Sequence, residues 1–95
     1  MAVIQIVDGG SGLDVWHETP SGVLNGINTD FTTASDFDPT TLSVSYNGQL
    51  QKQGSGEDFT VHESGGIGTG HDTIRFVRPK LPRSGDEILV SYKFA

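Results

Sequence analysis

Cysteine is absent from the 95 residues, which removes both a disulfide framework and thiolate chemistry. Apolar residues are scarce too, at 34% of the chain against the roughly 45–50% usual in soluble domains. A chain this lean builds a thin core, so its stability has to come from sheet packing or from assembly with a neighbour. No apolar run exceeds four residues, far short of the ~20 that a membrane-spanning helix needs. Residues 1–5 show neither a basic n-region nor an apolar h-region, so no signal peptide is expected. Lysine and arginine are missing from residues 1–51, which carry Asp8, Asp14, Glu18, Asp30, Asp36 and Asp38. Residues 52–95 balance six acids with six bases, leaving a net charge of −6. An acidic surface repels phosphate backbones and excludes nucleic acid as an expected partner. Glycine is abundant, at 13 residues, but follows no three-residue period, which excludes collagen.

What is present is a series of short strand signals. In residues 42–51, Leu42, Val44 and Tyr46 alternate with Ser43 and Ser45, the period of a half-buried strand. Asn47-Gly48 follows, the pair best suited to a two-residue type I′ turn. The return strand starts at Gln49. Further strands are expected at residues 13–18, 30–33, 58–63, 72–78 and 87–94, with Pro79 and Pro82 closing the fourth of these. Asn25-Gly26 predicts another tight turn, residues 34–41 a loop, and the glycine-rich residues 64–70 a mobile loop. Strands at roughly ten-residue spacing between turn signals imply an all-β antiparallel sandwich, Ig-like or jelly-roll-like, of about seven short strands with no substantial helix. The expected inward side chains are Phe31, Leu42, Val44, Tyr46, Leu50, Phe59, Val61, Ile74, Phe76, Ile88, Val90 and Tyr92. Phe94 continues the inward alternation of the last strand. Asp8-Gly9-Gly10-Ser11-Gly12 separates a β-rich arm and hinge, residues 1–12, from the sandwich, residues 13–95.

A search for chemistry yields little. His17, His62 and His71 are scattered and form no ligand pair, so no metal site is expected. Asp36 and Asp38 lack the surrounding pattern of a calcium loop, and Asx turns account for them. Residues 65–70 superficially resemble a phosphate loop, but a strand follows where a helix is required. No nucleophile elbow is present, no cofactor is implied, and no enzymatic activity is expected. Trp16 reads first as a core or edge plug; its functional alternatives are stacking on a sugar and anchoring a neighbour.

The order of segments in the body carries a resemblance. Glu18-Thr19-Pro20-Ser21-Gly22 comes first, then Asn25-Gly26-Ile27-Asn28-Thr29-Asp30-Phe31-Thr32, the stretch ending Tyr46-Asn47-Gly48, and Asp58-Phe59-Thr60-Val61. Thr73-Ile74-Arg75-Phe76, Pro79 and Ser84-Gly85-Asp86-Glu87-Ile88-Leu89-Val90-Ser91-Tyr92 close the series. This succession resembles a small β module of tailed-bacteriophage virion proteins, found in tail, baseplate and fibre components. The resemblance covers residues 18–95 and departs from the module at residues 1–17 and 64–71. It implies a structural subunit of the virion, assembled in the host cytoplasm, whose partners are other virion proteins and copies of itself, with no catalytic residues. Val3, Ile4, Ile6, Val7, Trp16 and Ile67 are the candidate assembly residues. A capsid decoration protein and a carbohydrate-binding module for host glycans are the alternatives.

Overall fold

A computed structural model describes residues 13–77 and 81–95. The arm and hinge at residues 1–12, with the candidate residues Val3, Ile4, Ile6 and Val7, and Pro79 lie outside the described residues. Seven strands and no helix are found among the described residues: β1 (Val15–Glu18), β2 (Asp30–Thr32), β3 (Ser43–Tyr46), β4 (Gln49–Leu50), β5 (Phe59–His62), β6 (Thr73–Phe76) and β7 (Ile88–Tyr92). They form a four-stranded sheet in the order β1-β7-β3-β4 and a three-stranded sheet in the order β2-β6-β5, with every strand pair antiparallel. The fold is all-β, as the spacing of strand and turn signals implies.

The two sheets share one core. Phe31, Phe59, Ile74 and Phe76 enter it from the smaller sheet, and Val44, Ile88, Val90 and Tyr92 from the larger. Leu42, Tyr46 and Val61 pack against it while keeping part of their surface in solvent. Phe76 is the hub, with ring centroids 5.7 Å from Phe31, 6.5 Å from Phe59 and 6.1 Å from Tyr46 across the sheets. Gly22 permits this packing, because a Cβ there would overlap the Phe31 ring.

Asn47 and Gly48 turn β3 into β4 at φ 51° and 83°, the two consecutive positive values of the expected turn. That same turn corrects one core assignment. It pairs Tyr46 with Gln49 and Ser45 with Leu50. Cross-strand partners share a face, so Leu50 joins the polar face of Ser45 and is 74% exposed. The second Asn-Gly is a different turn: Gly26 has φ 78°, while the Asn25 Oδ1 accepts the amides of Ile27 at 2.9 Å and Asn28 at 2.8 Å. Phe94 follows the inward alternation of β7 but falls beyond its last paired residue, and about half of it is exposed.

The loop at residues 34–41 supplies a core residue that alternation does not mark. Phe37 is fully buried. Its amide donates to the His71 carbonyl at 2.8 Å, it bridges Phe94, and its ring lies 5.7 Å from Tyr92. It closes the end of the sandwich where β7 leaves the larger sheet. Truncating Phe37 to alanine should cost about 3–5 kcal/mol, whereas Leu50→Ser should change stability by less than about 0.5 kcal/mol, as read by urea denaturation of the two variants.

Candidate interaction surfaces

Trp16 sits on a β-bulge. Between Val15, opposite Tyr92, and Glu18, opposite Val90, β1 spends one residue more than β7. His17 takes up the excess at φ 57°, a left-handed conformation unusual for a non-glycine residue, and its amide donates to Ser91 Oγ at 3.0 Å. Val15 packs against the core and Trp16, the next residue, faces away from it, so the expected plug is instead 68% exposed; the bulge takes His17 off the inward face that Val15 occupies. The indole stacks on the His17 ring, with centroids 4.5 Å apart. Glu18 fixes the end of this strand by accepting the Tyr92 hydroxyl on one carboxylate oxygen and the Ala34 amide, at 2.7 Å, on the other. Burial, and then the Glu18 carboxylate, push the Tyr92 phenol up to about 12.

Ile67 lies at the apex of the loop joining β5 to β6 and is wholly exposed. Side chains of the loop's own flanks hydrogen-bond to its backbone. One oxygen of Glu63 accepts the amides of Gly70 at 2.9 Å and Gly68 at 3.0 Å. These two bonds hold its carboxyl below the usual range. At the other end, Asp72 accepts the Ser64 amide at 2.9 Å and the Ser64 hydroxyl. Burial raises the Asp72 carboxyl, but its bonds to Ser64 and Thr73 outweigh that and lower it. Amides that would otherwise face an external anion are therefore occupied by the chain's own carboxylate. Trp16 and Ile67 stand on different sheets, the first on the edge of the larger and the second beyond the end of the smaller.

A third feature was not legible in the sequence. An open groove of about 390 Å³ lies beside the start of β7, floored by Pro20, Leu24, Phe31 and Ile88 and rimmed by Asp86 and Glu87. Its lining comes from segments distant in sequence, so no local pattern marks it. Asp86 belongs to a clasp: it accepts the Tyr46 hydroxyl, Asn47 Nδ2 at 3.1 Å and the Arg83 amide at 3.0 Å. The Tyr46 hydroxyl, then the Arg83 amide and the Asn47 side chain, lower its carboxyl to about 2. Asn47 completes the clasp by accepting the Glu87 amide on Oδ1 at 2.7 Å.

The remaining carboxylates with lowered pKa are likewise engaged locally. The Arg75 guanidinium beside Asp30, paired at 2.8 and 3.0 Å, lowers that carboxyl. Asp38 accepts the hydroxyl and amide of Thr40, as expected of an Asx turn. Among the described residues no three His, Asp or Glu side chains converge as a metal site. Comparison of the chain with models of protein families, with curated proteins and with solved structures returns no match.

Asp86 titrates below its ordinary value of 3.8, so the stability it contributes is present above that pH and is lost as pH falls toward 2. Asp86→Asn should therefore melt at a lower temperature than the wild type near neutral pH, and the gap should close toward pH 2 in a series of thermal melts.

Proposed function

We propose that this protein is a structural subunit of a tailed-bacteriophage virion, attaching to or connecting tail, baseplate or fibre proteins by protein–protein contact. The observation that carries it is Ile67, wholly exposed on a loop whose shape Glu63 and Asp72 hold in advance. An apolar side chain on a loop braced by its own hydrogen bonds suits a pocket on a partner. The segment succession of residues 18–95 supports the same reading. Its polar positions here serve as turn caps and clasps: Asn25 caps a turn, and Asn47 and Asp86 tie the β3–β4 turn to β7. The β-rich sequence of residues 2–7 behind a glycine hinge suits addition to a sheet of an adjacent subunit. A decoration subunit of the capsid has the same physics at a different address.

Cryo-electron microscopy of particles made from the encoding genome should show the sandwich at repeated, symmetry-related positions, with Ile67 against a neighbour. Ile67→Asp should fold with a stability change under about 0.5 kcal/mol and yet incorporate poorly, and deletion of residues 1–12 should abolish incorporation. Purified particles that lack the protein would overturn the proposal.

One observation favours the carbohydrate alternative, the exposed indole of Trp16. Tyr92 is fully buried and the Tyr46 hydroxyl is bonded to Asp86, so any stacking on sugar would fall to Trp16. Saturable binding of a host polysaccharide by calorimetry, lost in Trp16→Ala, would decide for that alternative.

A further inference from the structure

Resting on the assembly role proposed above, we infer that the groove floored by Pro20, Leu24, Phe31 and Ile88 is an acceptor for residues 3–7 of a second copy of this chain. The floor is apolar, and the rim is acidic at Asp86 and Glu87. Asp86 is already committed to Tyr46, Asn47 and the Arg83 amide, so the rim disfavours anions without offering an organised polar site for a small molecule. The occupant has to be apolar and free of acidic groups. Residues 1–7 carry no charged side chain, and Ile4 and Ile6 fall on one face of an extended chain. The Ile67 loop fits less well, since Glu63 and Asp72 at its base would approach two further carboxylates.

The paired register of β1 with β7 runs from Tyr92 to Val90, and Thr19 and Pro20 carry the chain on past it to line the groove. An extended segment lying in the groove directs alternate side chains to its apolar floor.

The chain enters the fold at the opposite end. The Asp14 amide donates to the Tyr92 carbonyl at 3.0 Å, and its carboxylate accepts the Phe94 amide at 2.8 Å. From position 13 to the groove at Pro20, β1 and its extension span roughly 23 Å at strand rise. From position 13 back to Ile6 the chain reaches at most about 25 Å when fully extended. Reaching its own groove would require a reversal at residue 13 followed by a taut hinge, a demand that a second copy does not face. A donor at one end and an acceptor at the other make the contact heterologous, so copies associate head to tail.

The absence of cysteine makes the test direct. Full-length Ile4→Cys is mixed with full-length Thr19→Cys, or with Glu87→Cys as a second acceptor, under mild oxidation. The two acceptor positions, Thr19 and Glu87, are solvent-exposed. Ser43→Cys, on the outer face of the larger sheet, serves as the control. A disulfide-linked pair formed at least about tenfold faster with the groove variants than with the control, and suppressed by excess wild-type chain, supports the inference. Equal rates at groove and control overturn it. So does a bond that forms only within an Ile4→Cys/Thr19→Cys double variant, unaffected by dilution. If deletion of residues 1–12 blocks particle incorporation but no groove bond forms, the acceptor lies on another protein and this inference alone falls. If incorporation ignores that deletion, the arm's assembly role falls with it.

Discussion

The clasp around Asp86 holds the register of the larger sheet, whose inward face closes the core. β7 is the longest strand and the one that both β1 and β3 pair with, so a slip of one residue would turn Ile88, Val90 and Tyr92 away from the core. Three donors converge on Asp86 just before β7 begins, and Asn47 adds a fourth bond from the β3–β4 turn. The turn and the strand are thus tied to each other by polar contacts at the margin of the apolar face. In a chain with so few apolar residues, polar contacts at the corners take over part of the specification that a larger core would provide.

How much of this was legible in the sequence differs by element, for identifiable reasons. The Asn47-Gly48 turn was legible because positive φ at two successive positions selects those residue types. Leu50 was misassigned although the turn itself decides its face: a two-residue connection places it opposite Ser45. Phe37 was missed because burial in an irregular loop has no period to detect, and its position depends on bridging Phe94, 57 residues away in sequence. The plug expectation for Trp16 rests on residue type alone; with Val15 against the core, strand alternation places the indole on the opposite face. Ile67 stands out in the sequence as a candidate assembly residue where the resemblance breaks at residues 64–71, but the two carboxylates that shape its loop belong to a tertiary pattern. The groove could not have been found, since its floor joins residues from before β2 to residues of β7.

The polar residues of the corners share one character. Glu18, Asp38, Glu63, Asp72 and Asp86 each accept a backbone amide within or beside a turn. Five acidic side chains are thereby used to satisfy main-chain donors that short strands leave unpaired. The acidic excess of this chain, which at first reads only as a statement about partners, is in part a structural consequence of having many corners and few long ladders.

The loop that carries Ile67 shows what such internal satisfaction brings. With Glu63 seated over the amides of Gly68 and Gly70, the concavity supplies its own counter-charge. Its outline does not depend on phosphate, sulfate or chloride in the surroundings, and one shape is presented in media of very different ionic composition.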